Sequence, residues 1–249
     1  MPKSKRATVI DLTKTRKKTR ENKAELMQEL QKAIDEFEYV WIFTMEHQRN
    51  QYIQEIRKLW NPSRIFMGRN GVMRKALGTS EGEAHKPGCE RIAESLKGDA
   101  GLLLTSSPPE EVIEWFEDYK RKCWIRAGNK APARVVLPAG PVHIAPHIYD
   151  EDDADVRESK REASIVAPHS MEPQLRKLGL PTRMEKGVPS LSHEFEVCKK
   201  GEVLSSDKAH LLKVLGKELG EFKVVLNMYL KLVDGSTKVL QEVDGVMED

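Results

Sequence analysis

"FMGRNGVMRKALG", residues 66–78, encloses an Arg-Asn pair between two glycines and then sets Arg74 and Lys75 on a segment with helical spacing. The apolar run "RIFM" (64–67) leads into it, so the local order is strand, glycine turn, and helix from about Val72. Val72, Met73, Ala76 and Leu77 supply the apolar face, and Gly78 can end the helix in the left-handed cap conformation. A turn of this kind presents backbone N–H groups to an anion. Its spacing rejects a nucleotide-hydrolysing loop, which keeps four residues between its glycines and follows them with Lys and Ser or Thr; Gly68 and Gly71 enclose two and lead to Val72. Two readings remain. Either Arg69, Asn70, Arg74 and Lys75 meet phosphates and sugar or base edges of a folded RNA, or this is an ordinary solvated helix start. Adjacent Arg74 and Lys75 leave a helix about 100° apart, which suits straddling a backbone better than gripping one phosphate.

The surroundings alternate. Leu26, Leu30, Ile34 and Phe37 recur at helical spacing behind a capping pair, Asn22 and Glu25. "YVWIFT" (39–44) follows as a buried strand, and "NQYIQEIRKLW" (50–60) as a helix stopped by Asn61-Pro62. After the glycine turn come the strand "AGLLLTS" (100–106) and a helix opened by Pro109, Glu110 and Glu111 that runs to about Tyr119. Beyond Gly128, prolines interrupt short pieces such as "ARVVLP" (133–138) and "HEFEV" (193–197), the mark of a mainly β or irregular unit. Within it, "YDEDDADVRESKRE" (149–162) lacks an apolar period and reads as a solvated loop. Helical spacing returns from Ser205, then a last strand, "FKVVLNMYLKLV" (222–233), able to rejoin the first unit's sheet. The fold class is α/β, an α/β sandwich.

The net charge of +2 conceals an asymmetry, because residues 1–23 hold nine Lys/Arg against Asp11 and Glu21. "KTRKKTRENK" (14–23) has no apolar period, so Lys14, Arg16, Lys17, Lys18 and Arg20 are free to release counterions on nucleic acid; nuclear import is a compatible use of the same residues. Neither a signal peptide nor an apolar run of about 20 residues is present, so no membrane partner is expected. Cys89, Cys123 and Cys198 lie too far apart for a Cys-rich zinc site. His143 and His147 are separated by Pro146, which breaks the helix that would align them. Neither a metal nor a catalytic residue is therefore assigned. Trp41, Trp60, Trp115 and Trp124 sit in apolar patterns that suit core packing.

Several blocks occur in an order that resembles the ribosomal stalk-base protein family, called the acidic P-zero protein in eukaryotes. They are "IQEIR" (53–57), "FMGRNGVMRKALG", "GDAGLLLT" (98–105), "IRAGNKAP" (125–132), "LGLPTRMEKGVPSL" (178–191) and "SSDKAHLLKVLG" (205–216), within a resemblance spanning residues 22–235. It implies an α/β sandwich rRNA-binding domain, residues 22–127 and 204–235, interrupted by a smaller, mainly β inserted domain, 128–203, with a basic extension at 1–21 and a polar tail at 236–249. Carried over residue by residue, the family's RNA contacts become Lys23; Arg49, Asn50, Gln51 and Arg57; and Arg69, Asn70, Arg74 and Lys75. "HQRNQY" (47–52) stands where the family has a Gly-Ser-Lys-Gln segment.

Stalk-base proteins continue into long helices that hold stalk dimers, whereas this chain stops near the end of the rejoined domain. With its basic leader it looks like the family's assembly branch. That resemblance implies a non-enzymatic factor without cofactor, nuclear and nucleolar with shuttling to the cytoplasm. Its expected partners are large-subunit rRNA at the stalk base, neighbouring ribosomal proteins of the pre-60S particle, and a dual-specificity-phosphatase-like release factor. The alternatives are a mature stalk-base-like ribosomal protein and an RNA-processing enzyme.

Overall fold

The computed structural model describes residues 20–80, 82–144 and 165–241. Lys14, Arg16, Lys17, Lys18, His147 and the acidic loop 149–162 lie outside these residues. The described chain divides into two compact units, one built from residues 20–44, 55–109 and 226–241, the other from 45–54 and the described part of 110–225.

The first unit contains α1 (Arg20–Glu36), β2 (Arg64–Phe66), α3 (Asn70–Leu77), α4 (Cys89–Ser95), β3 (Ala100–Thr105) and β13 (Ser236–Val239). It also holds most of β1 (Tyr39–Glu46), the later half of α2 (Asn50–Leu59) and the later half of β12 (Gly220–Lys231). The strand order is β13-β12-β1-β3-β2. β3 pairs antiparallel with both β1, from Tyr39↔Thr105 to Thr44↔Ala100, and β2, from Arg64↔Leu104 to Phe66↔Leu102. The expected α/β class is observed.

Period-2 geometry sends alternate side chains of β1 and β3 to opposite faces. Val40, Ile42, Leu102 and Leu104 enter one core with Leu30, Ala33 and Ile34 of α1, Phe37 just after it, Met73, Ala76 and Leu77 of α3, and Ile92 of α4. Trp41, Phe43 and Leu103 point the other way and are buried too, with the Trp41 ring 4.5 Å from that of Tyr229. Both faces are thus covered, which explains why "YVWIFT" and "AGLLLT" are apolar without alternation. Each fully buried Leu or Ile contributes about 1.5–3 kcal/mol relative to exposure.

Several expectations need correction. α1 is already helical at Arg20, so Asn22 and Glu25 lie inside its first turns and do not form its cap. α3 begins at Asn70, two residues before Val72, with Arg69 as its N-cap. Gly78 ends α3 at φ 95° and ψ 136°, a positive φ that suits glycine but outside the left-handed helical well. α4 follows Pro87-Gly88 and is seven residues long, too short to show a period in the sequence. The polar stretch from residue 236 opens as β13, paired with β12 from Lys231↔Ser236 to Met228↔Val239.

In the second unit, α5 (Pro109–Asp118) lies almost wholly inside the unit and is followed by β4 (Arg121–Cys123), which pairs with the first residues of β12. Then come β5 (Val135–Leu137), β6 (Gly140–Pro141), β7 (His143–Ile144), β8 (Ile165–Val166), α6 (Glu172–Lys177), β9 (Thr182–Glu185), β10 (Val188–Leu191), β11 (Phe195–Cys198) and α7 (Ser206–Val214). β9 and β10 form a hairpin whose turn residues, Lys186 and Gly187, both have positive φ. That is the conformation a tight two-residue hairpin demands. A second core joins Ile125, Val135, Leu175, Leu180, Val197, Leu211, Leu212 and Leu215, and Ser205 Oγ caps α7 by accepting from the Lys208 N–H at 3.3 Å.

Candidate nucleic-acid interface

β2 delivers the chain through Met67 and Gly68 to the start of α3, where Arg69 is extended, at φ −66° and ψ 129°, and its side chain makes no capping bond. The first backbone bonds of the helix run from Val72 N–H and Met73 N–H to Arg69 O, at 2.8 and 3.1 Å. The N–H groups of Asn70 and Gly71 precede these bonds, and first-turn N–H groups have no intrahelical acceptor. They form the positive end of the helix dipole.

The two glycines of the turn serve different ends. A Cβ on Gly68 would lie 2.7 Å from Leu26 Cδ2, so α1 rests directly on the turn. Further along, Gln31 Nε2 donates to Ala76 O at 3.3 Å. Leu26 of α1 therefore meets the turn that opens α3, and Gln31, five residues on, meets the end of α3: the helices run side by side in the same direction. The exposed Arg20 and Lys23 at the start of α1 consequently stand at the same end as the exposed Arg69. Gly71 is exposed, meets nothing within 4 Å of its added Cβ and has no positive φ. Within the described residues the fold gives no reason for glycine there, although glycine costs a helix about 1 kcal/mol relative to alanine. A bare backbone next to Arg69 leaves room for close approach by a ligand.

The other candidates divide by what holds them. Asn70 Nδ2 donates to Gly98 O at 2.7 Å, and Arg74 donates to Leu96 O through Nε at 3.1 Å and Nη2 at 2.5 Å. Both side chains thus brace the turn between α4 and β3. Lys75 is exposed, and among the described residues no hydrogen bond or ion pair engages the side chain of Arg69 or Lys75. Arg57, near the end of α2, is exposed and makes one long contact, Nη2 to Ile65 O at 3.4 Å. In the second unit, Asn50 and Gln51 are exposed at the start of α2, while the half-buried Arg49 donates to Trp124 O and bonds the Cys123 thiol. Burial raises the Cys123 thiol above its ordinary range despite the nearby Arg49 charge, and burial likewise raises Cys89 and Cys198. Raised thiols are poorer nucleophiles at neutral pH than exposed ones.

Among the described residues, no three His, Cys, Asp or Glu side chains converge as a metal site, and no helix is long and apolar enough to cross a membrane. A cavity of about 360 Å³ beside α5 is lined by Glu111, Glu114 and Asp118 with Trp115, Tyr119 and Arg121. Its three carboxylates repel phosphates. In the first unit, the start of α1 exposes Arg20 and Lys23 together with Glu21 and Glu25, and the start of α3 exposes Arg69 and, further along the helix, Lys75.

Residues 18–121 match the family described as ribosomal protein L10, and residues 125–216 match the insertion domain found in the 60S ribosomal protein of that family. Ribosome assembly factor mrt4 of Schizosaccharomyces pombe is 41% identical over 249 residues, covering 100% of this chain and 99% of that protein. The chain belongs to the ribosomal protein L10 family. The assembly factor MRT4 of Saccharomyces cerevisiae is 34% identical over 231 residues, 92% of this chain and 93% of its own length. Large ribosomal subunit protein uL10 of Thermococcus onnurineus is 29% identical over 178 residues, 72% of this chain but 45% of that protein. The L10 match contains α1 to α5 and hence the whole α3 surface, the insertion match contains β5 to α7, and the returning β12 lies outside both.

Proposed function

We propose that this chain is a non-enzymatic ribosome assembly factor that binds large-subunit rRNA at the stalk base of pre-60S particles and is later replaced there by the stalk-base ribosomal protein. The observation that carries this reading is the end-to-end likeness to proteins named as assembly factors, against a match to less than half of uL10. The bare first turn of α3 between exposed basic residues supplies the physical rationale. Residues 22–127 with 204–235 carry the RNA contact and 128–203 form the insert. The chain works in the nucleus and nucleolus and shuttles to the cytoplasm, next to neighbouring ribosomal proteins, and a dual-specificity-phosphatase-like protein assists its release.

Mechanism on this reading is competition for one RNA surface. Phosphate contacts set the affinity and its salt dependence, while edges and shape of the folded RNA select the place. The purified full chain should bind a stalk-base rRNA transcript saturably, with a steep loss of affinity as salt rises, and the stalk-base ribosomal protein should displace it. Equal affinity for a shuffled transcript, or simultaneous binding of both proteins, rejects the placeholder role. Specific, saturable cleavage of RNA in the presence of divalent metal would reject the non-enzymatic one.

A further inference from the structure

The segment between α4 and β3 is held from one side by α3. Asn70 grips Gly98 O and Arg74 grips Leu96 O with two N–H groups, while the Leu96 side chain is fully buried. Lys97 stands between the two gripped carbonyls, is exposed, and has its own N–H bonded to Ser95 O at 3.0 Å. Gly98 beside it takes φ 60°, closing the turn. Arg74 and Asn70 lie on the same helix that begins at Arg69 and Gly71, so Lys97 is fastened to the surface already described. A lysine on a loose loop surrenders backbone freedom worth about 1–2 kcal/mol per residue when it meets a phosphate. Here the clamps have removed that freedom in advance, the general route by which preorganisation strengthens binding.

We propose that Lys97 is a phosphate-contacting residue of the RNA surface, and that Asn70 and Arg74 are positioning residues that act through it. This rests on the RNA-binding reading above and adds a contact from outside the glycine-turn motif, next to a carbonyl that lies 22 residues along the chain from Arg74.

The test is the salt dependence of binding between the full chain and a stalk-base rRNA transcript. Lys97→Ala should flatten the log–log slope by about 0.7 to 0.9, one phosphate contact, and Lys97→Arg should restore it. Arg74→Ala should flatten it similarly, and adding it to Lys97→Ala should flatten it no further. Lys32→Ala, an exposed lysine about 14 Å along α1 from Lys23, should leave the slope unchanged. A steep wild-type slope that survives Lys97→Ala overturns the contact. Additive losses from Arg74→Ala and Lys97→Ala overturn the positioning role. A wild type without salt-dependent binding rejects the RNA reading itself, and this inference falls with it.

Discussion

Arg74 meets the carbonyl of Leu96 with two N–H groups, Nε at 3.1 Å and Nη2 at 2.5 Å, and so ties α3 to the turn that starts β3. The acceptor belongs to a fully buried residue, which makes the bond a structural one as well as a way of aiming the turn. Arg74→Ala leaves that carbonyl without its charged partner and should cost about 1–3 kcal/mol in a urea or guanidinium titration. Arg74→Lys retains the charge but only a point donor, and should recover part of the loss.

Gly68 and Gly71 should respond to alanine with opposite signs. Gly71→Ala, at an open and exposed position within the first turn, should stabilise the chain by roughly 0.5–1 kcal/mol while weakening its binding to stalk-base rRNA. Gly68→Ala forces Leu26 aside; because Leu26 is only half-buried and can turn away, the expected loss is up to about 1 kcal/mol. Thermal or chemical denaturation of the two variants, with RNA titrations alongside, separates the effects. Weaker stability and unchanged RNA affinity for Gly71→Ala would sink the argument from its bare backbone.

Arg69 and Lys75 are exposed, so their removal should leave stability within about 0.5 kcal/mol. On the proposed function each of Arg69→Ala and Lys75→Ala should flatten the salt dependence of rRNA binding by up to about 0.9 in the log–log slope. An unchanged slope in a folded double variant removes the glycine turn from the interface.

Glu202 offers a pH test in the second unit. Its carboxyl is held below the ordinary range, chiefly by the hydrogen bond from Lys208 and then by the Lys199 N–H. A depressed folded pKa stabilises the fold above the unfolded pKa and loses that contribution as pH falls through the folded value. Wild type should therefore exceed Glu202→Gln in denaturation midpoint at neutral pH, and the gap should close in acid below the carboxylate range. The pair is half-buried at the surface and screened by solvent, so the gap is small; a gap that widens on acidification contradicts the assignment.

The buried thiols predict a chemical signature. Cys89, Cys123 and Cys198 should resist a thiol reagent in the native chain at neutral pH and all react once the chain is unfolded. Rapid native labelling at Cys123 would show that the arrangement of Arg49 around it is wrong.

Elements whose formation depends on near neighbours were legible in the sequence. The spacing of Leu30, Ile34 and Phe37 marked α1, and the runs at 39–44 and 100–106 marked β1 and β3, because helical and strand periodicity are local properties of the backbone. The short α4 and the edge strand β13 carried too few apolar positions to reveal a period. Arg69, Asn70, Arg74 and Lys75 were likewise recognisable as a polar group on one turn and helix start.

By itself, then, the sequence determined the α/β class, the order of the principal elements and the polar, basic make-up of the glycine turn. Only the tertiary structure decided how that segment's side chains are used. It left Arg69 and Lys75 in solvent, turned Asn70 and Arg74 onto the carbonyls of Gly98 and Leu96, and laid α1 alongside α3 with Leu26 against Gly68. Those partners lie 22 to 45 residues away along the chain, and a hydrogen bond between such residues is set by how the elements pack, which no local pattern encodes.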